Sequence, residues 1–302
     1  MSAEASYYVP EQSKMPILMA AAMGLAAFGA GRWMITGDSL MCILGVVAIA
    51  TMMYFWFTTV IDENLRGLPS AQLKRSYVWG ISWFIFSEVM FFAGFFGALF
   101  YLRNIAMPWL GGDGVGVHNP ELLWNGFEAE WPLLHTPDQA LNGENAKFVG
   151  AHESLSYPGL SGLLHWLPLY NTVILLFSSY TVHLAHHALK HGDNRKKFNF
   201  WLGFTVVLGL IFLCLQVMEY REAYGHYGIT LTSGIYGTTF FMLTGFHGFH
   251  VAMGTLMLAI QLLRSFKGQF TADDHFGFEM SSWYWHFVDV VWVMLFFFVY
   301  II

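Results

Sequence analysis

Charge is scarce in this chain. Only 11% of its 302 residues are Asp, Glu, Lys or Arg, against about 25% in an ordinary soluble domain. The formal charge of -6 comes with no basic stripe, which excludes a nucleic-acid binder. Cysteine is nearly absent. Cys42 and Cys214 fall in separate apolar segments and read as inert packing thiols, not as a disulfide or a metal pair. The polar first twelve residues lack a basic n-region, so no cleavable signal peptide is expected. There is no Gly-rich phosphate loop, no nucleophile elbow and no CxxC pair, so the chain carries no complete catalytic kit. No fixed-period repeat appears, which weakens a secondary-transporter reading.

What the chain has instead is apolar sequence in long runs, at 56% of residues, with 18% aromatics to anchor it at membrane interfaces. Seven stretches are long enough to cross a bilayer as helices, near 15–35, 40–61, 77–102, 166–187, 198–219, 235–263 and 283–302. The expected fold is an all-α polytopic membrane protein with seven transmembrane helices. The fourth stretch is the least clean, because Pro168 and Asn171 sit near its start. The loop at 104–165 is rich in Gly, Pro, Asn and acids and must lie outside the hydrocarbon. With the N-terminus in the cytoplasm, ten of the fourteen Lys and Arg fall on the inner side, leaving only Arg32, Arg103, Lys147 and Arg221 outside. The positive-inside rule therefore puts the N-terminus inside and the C-terminus outside.

Ionisable groups within such spans are functional or interface candidates. His286 and Asp289 in the last span are three residues apart and share one helical face. Glu88 lies thirteen residues beyond Arg75, roughly 20 Å along a helix, so its carboxyl must be protonated or paired. Ala93 and Gly97 on the same helix form a small-xxx-small pair that admits a close neighbour. His247 and His250 are one turn apart, a spacing that could serve a metal. Counted from Arg264, His250 lies roughly 21 Å deep and matches Glu88 better than His247 does. A Glu88–His250 hydrogen bond is expected in preference to a metal. Whether that pair is structural or proton-active stays open.

His183, His186 and His187 spell HxxHH, as in membrane di-iron desaturases. Iron needs several imidazoles at one place. Here the HxxHH falls at the inner face, His247 and His250 near mid-membrane, and His118, His135 and His152 in the outer loop. No metal site is expected. A di-iron enzyme and a transporter prompted by Glu88, His250 and Asp289 remain the rival classes.

Several stretches together resemble one family. They are Ile85-Phe86-Ser87-Glu88-Val89, Phe91-Phe92-Ala93-Gly94-Phe95-Phe96, Ala185-His186-His187 and Gln216-Val217-Met218-Glu219-Tyr220. To these add Tyr236–Phe241, Thr244–Val251, His275–Glu279 and the closing segment from Trp283. They are similar, in order, to cytochrome c oxidase subunit III over 40–302, apart from the long loop. The resemblance implies one subunit domain over 1–302, made of a two-helix bundle at 15–65 and a five-helix bundle at 77–302 with a phospholipid-holding cleft. It implies a non-catalytic core subunit of a proton-pumping oxidase that reduces oxygen to water in aerobic respiration. Such a subunit binds mainly subunit I, with subunit II in the complex. It stabilises subunit I and supports proton uptake, and haem and copper stay in the partners. The family's carbodiimide-reactive carboxylate falls on Glu88, and its lipid contacts fall on Trp56, Glu63 and Arg264. His247, His286 and Asp289 are left as interhelix polar groups. Thr58-Thr59 and Leu68-Pro69 depart from the family beside those lipid positions. The loop 104–165 is longer than in the mitochondrial type, so the expected location is a bacterial inner membrane with a periplasmic C-terminus. Having all seven helices favours the cytochrome c branch over quinol oxidases.

Overall fold

The structure is a computed structural model and describes residues 12–113, 124–192, 194–271 and 274–302; His118 lies outside them. Among the described residues all regular structure is helical. Seven long helices run in order: α1 Met15–Thr36, α2 Leu40–Leu65, α3 Ala71–Tyr101, α4 Leu167–Gly192, α5 Arg195–Gly225, α6 Gly234–Phe266 and α7 Phe276–Leu295. Six of them are long and apolar enough to cross a membrane. The exception is α4, which at 26 residues reaches about 39 Å. Asn171, Thr172, Ser178 and Thr181 dilute its apolar character, and all four are buried within the protein.

The chain divides into two units, Met1–Ile81 and Ser82–Ile302. In the first, α1 and α2 form a hairpin. Gly37 ends α1 in the left-handed region, at φ 76°, and its N–H reaches the Trp33 carbonyl. Asp38 turns the chain, accepting from the Leu40 N–H at 3.1 Å and pairing with Arg32 at 3.2 Å. The helices then touch backbone to backbone. A Cβ at Gly29 would stand 2.2 Å from the Cys42 nitrogen, and one at Gly45 2.4 Å from the Ala26 Cα. Small residues make that approach possible, as they do between membrane helices generally.

The second unit holds the large core. Trp285, fully buried on α7, lies against Gly254 of α6 and Gly209 of α5. Hydroxyls on α4 form a polar seam with α7: Trp285 Nε1 donates to Ser178 at 3.0 Å, and Trp292 Nε1 donates to Thr172 at 3.0 Å. The two tryptophans are seven residues apart, so the seam repeats after two turns.

Several boundaries differ from the sequence expectation. α3 starts at Ala71 because Ser70 caps it, accepting from the Leu73 N–H at 3.3 Å. α7 starts at Phe276, seven residues before the apolar run. α5 runs on to Gly225, six residues past its expected end, because buried Glu219 and Ala223 continue its inner face. The expected loop at 104–165 begins later, since a π turn, Leu102–Ala106, and a short helix, Met107–Leu110, extend α3.

The loop also has order of its own. Thr136 and Gln139 form a capping box over Pro137–Asn142. Farther on, the His152 N–H donates to the Tyr227 carbonyl at 2.8 Å and the Leu155 N–H to Tyr236 Oη at 3.0 Å. The Tyr157 N–H reaches the Tyr300 carbonyl at 2.8 Å. These bonds lay the segment over the ends of α5, α6 and α7.

Candidate functional site

The helical register of α3 and α6 decides which polar side chains meet. Glu88 Oε2 lies 3.0 Å from His250 Nε2. The other ring nitrogen, Nδ1, donates to the Phe246 carbonyl one turn back at 2.6 Å. With Nδ1 carrying a hydrogen, the contact with Glu88 has two forms. Either the acid donates to a neutral imidazole, or an imidazolium donates to a carboxylate. Both forms contain the same number of protons. The Glu88 side chain is 23% exposed and that of His250 8%, so neither is solvated as in water.

Aromatic and thioether side chains enclose the pair. Phe84, Phe91, Phe246, Phe249, Met253 and Tyr284 line an open cleft of about 360 Å³ with Glu88 and His250. Phe92 meets the His250 ring edge-on, with centroids 5.0 Å apart. The arrangement can hold one proton between two helices beside an apolar groove.

The remaining candidates lie elsewhere. His247 turns to α7, where Nε2 donates to the Val288 carbonyl at 3.2 Å, and its Nδ1 is buried without a partner. Its ring stacks near Trp292 and Phe212. The two histidines of the GFHGFH run thus serve different neighbours. His286 meets Ser179 of α4 at 2.7 Å, and Asp289 lies 3.7 Å from His286, beyond a hydrogen bond. Both Asp289 oxygens are buried and close no hydrogen bond of good geometry among the described residues, with His286 and Ser179 their polar neighbours.

Arg264 is half-buried. Its Nε donates to Gln269 and its Nη1 to Gln261, each at 3.1 Å, and the guanidinium stacks over Phe270 at 4.8 Å. Trp56 and Glu63 belong to α2 in the first unit, seven residues apart and therefore on one face, both half-buried.

The HxxHH run separates. His186 meets His275 across α7 at 3.3 Å, His187 lies beside His191, and His183 is exposed. Among the described residues no three metal-capable side chains converge.

One cluster escaped the sequence reading. Glu219, Gln216 and Tyr300 are all buried at the loop-covered end of the second unit. Apolar length alone ends this helix at Glu219, where an acid is ordinarily solvated, whereas the helix runs on to Gly225. The signal that could have found it is the spacing of Gln216, Glu219 and Ala223, which is one continuous helical face.

Comparison with known proteins agrees with this architecture. The family described as cytochrome c oxidase subunit III matches residues 5–123 and 162–302. The unmatched stretch between them falls inside the long loop. Cytochrome c oxidase subunit 3 of Danio rerio is 35% identical over 293 residues, covering 96% of this chain and 95% of that protein. The Sus scrofa protein of the same name is 36% identical over 292 residues, again 96% and 95% of the two chains. That of Tetraodon nigroviridis is 35% identical over 300 residues, or 98% and 96%. Taken with the long apolar helices, these matches place the chain in the cytochrome c oxidase subunit III family, as a membrane subunit of the respiratory oxidoreductase complex.

Proposed function

We propose that this chain is the non-catalytic subunit that keeps the oxidase's catalytic subunit active through turnover and helps protons reach it. The observation that carries this reading is the Glu88–His250 contact, a polar link that braces two helices at the edge of an apolar cleft. Subunit I is the main partner, with subunit II in the same complex, and haem and copper reside in them. Seven spans, with the N-terminus in the cytoplasm and the C-terminus in the periplasm of a bacterial inner membrane, fit the distribution of Lys and Arg and the long loop. The family's two-helix and five-helix partition applies, with 15–65 and 77–302 as the bundles. Phospholipid headgroups meet Trp56 and Glu63 in the first unit and Arg264 in the second. An aromatic body, an acid and a cation suit a zwitterionic or anionic headgroup.

Exchange of Glu88 in the whole complex tests the reading. Glu88→Gln keeps a group able to donate to His250 Nε2, so initial oxygen consumption and the number of turnovers before inactivation should stay near wild type. Glu88→Ala leaves His250 Nε2 without its partner, at a cost of about 1–3 kcal/mol. Its initial rate should hold while its working lifetime shortens. Loss of oxygen consumption in a fully assembled Glu88→Gln complex would make the carboxylate part of the chemistry and end the proposal.

A further inference from the structure

Glu219 is a buried carboxyl that this function leaves unused. It sits on α5, fully enclosed. Tyr300 Oη donates to its Oε1 at 2.5 Å, while Oε2 closes no hydrogen bond of good geometry among the described residues. Gln216, one turn earlier and 4% exposed, lies within polar reach of both groups, and neither atom of its amide closes a hydrogen bond of good geometry among the described residues. No Lys, Arg or His among the described residues pairs with Glu219. Neighbouring Tyr220 points its hydroxyl to Thr244 at 2.8 Å and is not available.

Aromatic rings form much of the rest of the enclosure. Phe240, Trp292 and Trp166 surround the Tyr300 ring at 5.8, 6.1 and 6.2 Å. A π turn, Phe296–Ile301, carries Tyr300 into this position, and the loop closes over it through the Tyr157 N–H. Single π turns recur at functional positions in helices.

A carboxylate without a cation in apolar surroundings costs more than the neutral acid. Unpartnered polar atoms that face one another are the setting in which a buried water finds the two or more bonds it needs. We propose that Glu219, Gln216 and Tyr300 form a buried site for water and a proton. Glu219 is a neutral acid that accepts from Tyr300 through Oε1 and donates from Oε2–H to a water, which in turn donates to Gln216 Oε1. The site is separate from Glu88 and independent of the role proposed for that residue.

Difference infrared spectra of the whole complex read the proton directly. Wild type against Glu219→Gln should show a carboxylic C=O band at neutral pH that is absent from the variant and moves to lower frequency in D2O. Gln216→Leu removes one holder of the water, so the band should persist at higher frequency. Tyr300→Phe removes only the hydroxyl on Oε1 and should also raise the frequency, which keeps the test available if Glu219→Gln fails to assemble. Carboxylate bands in place of the C=O band would overturn the neutral acid. A C=O band unmoved by Gln216→Leu would overturn the water bridge.

Discussion

Substituting Gly254 with Ala asks whether Trp285 is as tightly held as the packing implies. A Cβ at Gly254 would stand 2.8 Å from Trp285 Cε3 and 3.1 Å from Cζ3. The indole has little room to retreat. It is fully buried, its nitrogen is bonded to Ser178, and its far edge would lie 3.0 Å from a Cβ at Gly209. Overpacking of this kind costs about 1–3 kcal/mol. The same change improves helix propensity by about 1 kcal/mol, so the raw effect alone is ambiguous. Gly248, six residues earlier on α6, supplies the control, because a Cβ there meets nothing in this chain within 4 Å. Propensity cancels between the two variants, and the difference between them is the steric cost. Thermal release of this subunit from the purified complex should show Gly254→Ala less stable than Gly248→Ala by about 1–3 kcal/mol. A Trp285→Phe background should shrink that difference, as expected for residues in contact. If the two alanine variants agree within about 0.5 kcal/mol, the scale on which independent sites merely add, the tryptophan is free to move and the reasoning fails.

Two further outcomes follow from the loop and from the arginine. Asp138 accepts from Asn142 at 2.6 Å and from the Lys147 and Phe148 N–H groups at 2.7 and 2.8 Å, and the Phe148 bond does most to hold its pKa below the usual carboxylate range. A depressed folded pKa stabilises the loop fully above the ordinary value of about 3.9, and that contribution is lost as pH falls through the lower folded value. Protection factors of the 147 and 148 amides should therefore persist into mild acid in the native chain and fall at neutral pH in Asp138→Asn; equal protection in both refutes the role. Arg264→Ala should lower the phospholipid retained per purified complex, whereas Gln269→Ala, which removes only a side-chain neighbour of the arginine, should not. Equal retention in the two variants counts against Arg264 as a headgroup ligand.

Much of the fold was legible because apolar length is a strong signal, and the Glu88–His250 contact was legible because depth can be counted in residues along a helix. Helix ends were less so. The run of hydrophobic residues stops where lipid contact stops, whereas the helix continues for as long as one face stays buried. Apolar length therefore ends α5 at Glu219 and begins α7 at Trp283, inside the true ends of both helices. The error at Glu219 hid a buried acid by treating it as a boundary residue. Tyr300 could not be paired with it from sequence, since an α-helical register does not foresee a π turn. The seam of Thr172, Ser178 and Ser179 with α7 was likewise invisible, because hydroxyls on an apolar helix look alike whether they face lipid, their own backbone or a neighbouring tryptophan.

The buried polar residues of α4 bear on more than packing. Left out of the count for want of apolar character, α4 leaves six crossings, an even number, and the two ends of the chain return to one side of the membrane. Counted in, it makes the number odd, and every loop that follows exchanges sides. The basic residues at 190–197 and at 264–267 then share a face with those at 66–75. Four buried polar side chains, by disguising one helix, thus govern the apparent sidedness of the chain's last third.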